Sequence, residues 1–226
     1  MSAKPIINLP PVKITFIGDA SVGKTSIVSR IVREDFSEHT SSTIGAAFSS
    51  IKYSLYRGGQ ERTYHVWDTA GQERYYSLIP LYLSGAQVIV IVYDITNRDS
   101  YTKVTSNWLP YIRKNLRLQD DEPMPMLYLI GNKIDLVDKM KKPRQVTIAE
   151  AAEFAKEHDM GFLEVSAKTG TNAKEVFRQI AIHVDNLLLQ QAGTIQNERN
   201  TVNLDVDCNA SRIGSCWGSV VSRIWW

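Results

Sequence analysis

The sequence predicts an α/β fold: a six-stranded, mostly parallel sheet with one antiparallel edge strand and helices on both faces. Three observations carry this expectation. Short apolar runs alternate with segments of helical periodicity along most of the chain, the pattern left by repeated β-then-α units. The run Val88-Ile89-Val90-Ile91-Val92-Tyr93 is apolar on both parities, as a central strand covered on both sides must be. The stretch Gly18-Asp19-Ala20-Ser21-Val22-Gly23-Lys24-Thr25 fits G-x-x-x-x-G-K-S/T between a strand and a helix. Sheets of this kind hold ligands in the crevice beyond the carboxyl ends of their strands.

The elements follow in order. Val12 to Ile17 is the first strand, and a helix opens at Lys24 with Ile27, Val28, Ile31 and Val32 at helical spacing. Asp35 to Ser50 is polar and aperiodic, a loop leading into a strand. Strands near Ser49–Leu55 and Arg62–Trp67, joined through the turn at Arg57-Gly58-Gly59-Gln60, make the antiparallel edge. The run from Val88 to Tyr93 is the centre of the sheet. A helix around Tyr101–Asn115 precedes a buried strand, Met126–Ile130, entered through Pro123 and Pro125. Thr147-Ile148-Ala149-Glu150 is a capping box for an alanine-rich helix, which Gly161 should close before the strand Phe162–Val165. Asn172 and Glu175 repeat the capping pattern for a last helix, striped by Val176, Phe177, Ile180, Val184, Leu187 and Leu188. Three segments result: an extension at 1–11, a folded domain at 12–189, and a polar, aperiodic tail at 190–226 expected to be flexible.

Composition narrows the function. The 226 residues are 43% hydrophobic and 22% charged, ordinary for a globular domain able to bury a core unaided. A net charge of +2 gives no basic surface for sequence-independent nucleic-acid binding. Cys208 and Cys216 lie outside the folded body, so no disulfide framework is expected and a reducing compartment fits. The proline-bearing start lacks the apolar core of a secretory signal, and no run reaches membrane-spanning length, which together predict a cytosolic folded part. His39, His65, His158 and His183 show no metal-ligand spacing.

In the glycine-rich stretch, Gly18 and Gly23 let the backbone turn so that amide groups converge on one anion, with the dipole of the following helix behind them. Gly18, Ala20, Ser21, Val22, Gly23, Lys24, Thr25 and Ser26 are therefore the expected phosphate cradle. Lys24 would reach the outer phosphates, and the Thr25 hydroxyl suits Mg2+, a hard cation that prefers oxygen ligands. A bare glycine turn is the alternative. It loses ground because three further strand ends carry matching chemistry. Asp68 in Trp67-Asp68-Thr69-Ala70-Gly71-Gln72-Glu73 is placed to hold Mg2+, Gly71 offers an N–H to a terminal phosphate, and Gln72 can orient an attacking water. Gly131-Asn132-Lys133-Ile134-Asp135 leaves the buried strand at 126–130. Asp135 can accept from both N1–H and N2–H of guanine, donors that adenine lacks, while Asn132 ties loops together and the stem of Lys133 covers the base. Ser166-Ala167-Lys168 would bring the Ala167 N–H to guanine O6 and Lys168 over the other face.

With these four motifs in this order, the chain resembles the Ras-like small GTPases, and among them the Rab proteins of vesicle traffic, over about residues 12 to 189. Ser42 to Phe48, Trp67 to Tyr75, Ser77-Leu78, Gly85-Ala86-Gln87 and Tyr93 to Thr96 are similar to the early-endosomal Rab subgroup. The resemblance implies a P-loop NTPase fold of the Ras-like G-domain type. It makes Thr43 the threonine that meets Mg2+ when a γ-phosphate is present. It also makes Ile44, Phe48, Trp67 and Tyr82 an effector surface, where residue chemistry alone gives packing aromatics. Ala20 stands where Ras proteins have glycine. The chain ends Cys216-Trp217-Gly218-Ser219-Val220-Val221-Ser222-Arg223-Ile224-Trp225-Trp226, without the terminal prenylated cysteines of the family.

The resulting expectation is a GTP/GDP switch that hydrolyses GTP with Mg2+, Lys24 and Gln72 carrying catalysis. Its partners would be effectors, an exchange factor and an activating protein that supplies the missing arginine. Its place would be the cytoplasm, at the cytosolic face of endosomal membranes, through an anchor the sequence does not display. A nucleotide-retaining scaffold that does not hydrolyse is the rival reading, resting on Ala20 and opposed by Gln72. A P-loop kinase or ATPase is opposed by Asp135. In the tail, Ile213, Trp217, Val220, Val221, Ile224 and Trp225 fall at helical spacing between Arg212 and Arg223, which fits either an interfacial helix with a palmitoylated Cys216 or a disordered end.

Overall fold

The computed structural model describes residues 10–38, 41–55, 61–116, 124–138 and 142–202. The expected turn at 57–60, Pro123, His39, both cysteines and the amphipathic segment at 213–225 lie outside them, as does most of the extension at 1–11.

Six strands form one sheet in the order β2-β3-β1-β4-β5-β6. They are β1 (Val12–Gly18), β2 (Ala46–Tyr53), β3 (Arg62–Thr69), β4 (Val88–Asp94), β5 (Met126–Asn132) and β6 (Met160–Glu164). Only β2 runs antiparallel, with Phe48 opposite Trp67 and Ile51 opposite Tyr64. The other four pairings are parallel. From β1 the sheet grows first toward β3 and then toward β4, so the order reverses beside β1 and opens a crevice at its carboxyl end.

The helices are α1 (Lys24–Arg33), α2 (Ile79–Leu83), α3 (Arg98–Lys103), α4 (Leu109–Leu116), α5 (Ile134–Asp138), α6 (Ile148–Glu157) and α7 (Ala173–Val202). Ile17, Ile89, Ile91, Leu127 and Leu129 line one face of the sheet and pack with Ile79, Tyr101, Val104, Trp108, Ile112 and Ala151 from the helices there. On the opposite face Tyr53 and Tyr64 take the ring of Phe177 edge-on at 5.1 and 4.9 Å. Every residue of β4 is buried, so its apolarity on both parities answers to helices on both sides.

Local chemistry explains where the elements differ from the sequence pattern. Strand β2 begins at Ala46 because Ala46 to Phe48 find backbone partners in Thr69 to Trp67. The Thr147 hydroxyl caps α6 by accepting from the Glu150 N–H, as the capping box predicts. The helix is closed by Asp159, which takes the left-handed turn at φ 54°, and Gly161 lies inside β6. A side chain at Gly161 would meet the Tyr128 ring at 2.5 Å. A 3-10 turn at Glu73–Leu78 and α2 occupy a stretch whose sequence carries no helical period. Between α3 and α4 the chain makes a π turn, Val104–Trp108, in which the Leu109 N–H bonds the Val104 carbonyl. Among the described residues, those through His183 form one compact unit and 184–202 belong to a second. In the latter the helix runs on through Val202, past the boundary at 189, in a stretch with no proline.

Candidate functional site

The carboxyl end of β1 and the start of α1 are joined by a turn whose two patterned glycines are required by different neighbours. Gly18 has φ 138°, and a Cβ there would lie 2.3 Å from the Val92 carbonyl oxygen of β4. Gly23 has φ 95°, and its Cβ would fall 2.3 Å from the Asn132 side-chain amide at the end of β5. The turn is thus pressed between two strand ends, and α1 begins directly after it. Ala20, Ser21, Gly23, Lys24, Thr25 and Ser26 line a cavity of about 220 Å³. Val22 points away, 2% exposed, into the core.

Two other segments close that cavity: Ser41, Ser42 and Thr43 before β2, and Thr69, Gly71 and Gln72 after β3. The Lys24 ammonium is buried and donates to the Gly18 and Asp19 carbonyl oxygens, each at 2.8 Å. Burial lowers its pKa to about 8, against the upward pull of the Asp68 and Asp19 carboxylates. An anionic ligand would supply the charge that carbonyl dipoles only approximate. Gly71 abuts the turn so closely that a Cβ would lie 2.4 Å from the Asp19 carbonyl and 2.5 Å from the Lys24 nitrogen. Gln72, half-buried, and Ala20 line the same cavity.

The Thr25 and Thr43 hydroxyl oxygens stand 2.8 Å apart. Asp68 is buried; desolvation raises its pKa, opposed by a hydrogen bond from Thr25 and the charge of Lys24. Its Oδ1 is buried with no hydrogen-bond partner among the described residues. Two hydroxyls beside a carboxylate oxygen without a partner are hard donors suited to a divalent cation such as Mg2+, which takes few protein ligands when phosphate supplies the rest.

The other two strand ends meet at the same turn. Asn132 donates from Nδ2 to the Val22 carbonyl at 2.9 Å and accepts the Ala167 N–H at Oδ1 at 3.2 Å. It therefore ties three loops together. Lys133, at φ 75°, donates to the Ser21 carbonyl at 2.7 Å and pairs with Asp94 at 2.8 Å. Asp135 is 6% exposed and accepts the Ser166 hydroxyl at 2.6 Å, which orients its carboxylate. Lys168 pairs with Glu38. Thus Asn132, Lys133, Asp135, Ser166, Ala167 and Lys168 converge, as their spacing after β5 and β6 suggests. The Ala167 N–H, the expected donor to guanine O6, meets Asn132 Oδ1. Sequence reasoning missed Asp94, Arg30 and Lys103, whose Nζ lies 2.7 Å from the Asp19 carboxylate. Their partners are remote in sequence, so no local pattern marks them.

Beside the cavity, Phe48 and Trp67 face each other across β2 and β3 with ring centroids 5.3 Å apart, and Trp67 meets Tyr82 of α2 at 5.7 Å. Phe48 is 53% and Ile44 81% exposed, so part of this cluster is turned to solvent.

A sequence model described as the Ras family matches residues 13–186. GTP-binding protein YPT52 of Saccharomyces cerevisiae is 37% identical over 224 residues, spanning 88% of this chain and 94% of that protein. Ras-related protein Rab5 of Nicotiana tabacum is 39% identical over 204 residues, 90% of this chain and 94% of that protein. Ras-related protein Rab5A of Oryza sativa subsp. japonica is 41% identical over 181 residues, 80% and 83% of the two chains. With a family model spanning most of the chain and these relatives covering it, the chain belongs to the Ras family, on its Rab branch of early-endosomal type.

Proposed function

We propose that this protein is a small GTPase that binds and hydrolyses GTP with Mg2+ and acts as a switch in endosomal vesicle traffic. The observation that carries the reading is the convergence of the segments at 20–26, 41–43 and 69–72 on one cavity holding Lys24, Thr25, Thr43, Gly71 and Gln72. Lys24 and the amides of the turn bind and neutralise phosphate oxygens. Mg2+, held by Thr25, Thr43 and Asp68, would add Lewis-acid charge stabilisation there. Gln72 orients the attacking water, and Gly71 presents its N–H at the terminal phosphate. Asp135 and the Ala167 N–H select guanine, with Lys133 and Lys168 on the two faces of the base. No arginine lines the cavity among the described residues, so an activating protein supplies that charge. In Ras such completion is worth on the order of five powers of ten, about 7 kcal/mol of barrier.

The switch follows from where the cavity walls lead. Thr43 precedes Ile44 and Phe48 on β2, and Gly71 and Gln72 precede the turn that leads to Tyr82. Contacts of Thr43 and Gly71 with a γ-phosphate order both segments around Trp67, giving effectors one surface to read. No helix among the described residues is long and apolar enough to cross a membrane, and attachment at the endosomal surface is proposed to run through residues beyond 202. The test is to identify the nucleotide that co-purifies and then follow a single turnover of GTP. Guanine nucleotide with slow hydrolysis that an activating protein speeds is the expected result. Protein that holds no guanine nucleotide, or binds adenine nucleotide equally well, would refute the reading.

A further inference from the structure

The loop proposed to meet guanine, residues 166–169, lies between β6 and α7 and is held from a distant element. Arg30, in the last turn of α1, donates from Nε to the Ala167 carbonyl at 2.9 Å and from Nη2 to the Lys168 carbonyl at 2.8 Å. Its Nη1 donates to the Glu34 carbonyl at 2.7 Å, where α1 ends in a left-handed residue. One planar guanidinium therefore joins three carbonyl oxygens, two of them 137 and 138 positions away in the chain. A Cβ at Gly170 would stand 3.6 Å from the Arg30 Cδ, so the loop closes over the side-chain stem. The guanidinium also lies 6.0 Å from the Phe36 ring centroid. A lysine cannot reproduce this fork, because its single ammonium is a point charge without planar, parallel donors.

We infer that Arg30 is a positioning residue for base recognition, acting through the backbone of Ala167 and Lys168. The inference rests on the guanine reading above. Asn132 Oδ1 receives the Ala167 N–H on one side of that residue, and Arg30 holds the Ala167 carbonyl on the other. Anchored on both sides, the peptide groups of the loop keep one orientation, and the Ala167 N–H stays near the edge where guanine O6 would lie. Arg30 belongs to the same helix as Lys24, Thr25 and Ser26, so α1 grips the phosphates at its first turn and aligns the base loop from its last. The competing role is a plain cap for the end of α1, served by the Glu34 bond alone.

A ligand-atom cycle separates the two roles. GDP and 6-thio-GDP, in which sulfur replaces O6 with a weaker acceptor, are compared by competition binding to wild type, Arg30→Gln and Arg30→Lys, with thermal unfolding of each GDP-loaded protein alongside. Wild type should prefer GDP. Arg30→Gln should bind GDP about tenfold more weakly while 6-thio-GDP changes little, so the preference narrows, and Arg30→Lys should fall between. Equal losses for both nucleotides, or none, would overturn the positioning role and leave only the cap. A wild type that does not discriminate would remove the O6 contact itself, and the positioning role with it. If Arg30→Gln does not fold, Arg30→Lys carries the same comparison.

Discussion

The Thr25 and Thr43 hydroxyls, on α1 and on the segment before β2, touch at 2.8 Å beside the Asp68 carboxylate. The contact spans two segments that otherwise belong to different sides of the cavity. A divalent cation seated there would bind both, and removing it should loosen both. Chelation should therefore speed GDP release from wild type, and Thr25→Asn should raise the Mg2+ concentration needed for retention by about tenfold or more. Release of a fluorescent GDP analogue, followed against Mg2+ concentration, measures this. Retention indifferent to chelator would remove the metal from the site.

Lys24 gives a pH signature with a definite sign. Burial places its folded pKa at about 8, below the ordinary 10.5, so above about pH 8 the unfolded chain holds more protons than the folded one. Unliganded protein should gain stability from this group as pH rises from about 8, a gain absent in Lys24→Met. Phosphates hold the proton on Lys24, so GDP affinity should move the other way and fall as pH climbs past about 8. Binding curves from pH 7 to 9.5 decide it. Equal slopes in wild type and Lys24→Met would dissociate the ammonium from phosphate binding.

Asp135→Asn should lower GTP affinity and turn preference toward xanthosine triphosphate, whose edge offers an acceptor to an amide. Ser166 would still donate to the new side chain, since the amide oxygen can replace carboxylate Oδ1. Competition among GTP, ATP and XTP reads the outcome, and an unaltered GTP preference would disprove the assignment.

Two neighbours in the wall should fail differently. Gln72→Leu should keep GTP affinity and slow single-turnover hydrolysis by about tenfold or more, since an apolar side chain cannot align water. Gly71→Ala drives a methyl against the Asp19 carbonyl and the Lys24 nitrogen, so it should disturb the GTP-bound state before any chemistry. Hydrolysis at the wild-type rate in Gln72→Leu, basal and stimulated alike, would contradict its role.

What could be read from the sequence was what is local. The glycine-rich turn after β1, the doubly buried β4 and the Thr147 cap each declare themselves within a few residues, because turn chemistry, burial parity and capping act at that range. Gly161 shows the limit. A glycine after a helix suggests its stop, yet Asp159 tolerates the left-handed turn and Gly161 is needed two residues on, where the Tyr128 ring of β5 lies across it. Gly161→Ala should accordingly destabilise the fold by about 1–3 kcal/mol in urea titration, and a neutral effect would show that the ring can yield. Arg30, Lys103 and Asp94 were illegible for the same reason: their meaning lies in partners brought near only by the sheet order. The single hydroxyl contact between Thr25 and Thr43 likewise needs the folded chain to exist.

The π turn at Val104–Trp108 makes the helix between β4 and β5 sensitive to counting. An i→i+5 ring stows one residue more than an α turn, and it brings positions five apart toward one side. Lys103 and Trp108, at its two ends, accordingly both reach the region of Tyr76: Lys103 salt-bridges Asp19 of the turn after β1 and feels the Tyr76 hydroxyl, and Trp108 packs edge-on against Tyr76 at 5.0 Å. In an unbroken α-helix each residue adds about 100° of rotation, so deleting one from this turn would swing Lys103 away from Asp19 while Trp108 stayed in place. Length, ordinarily tolerated in loops and costly in helices, is here metered at a single turn, on which the reach of Lys103 to Asp19 depends.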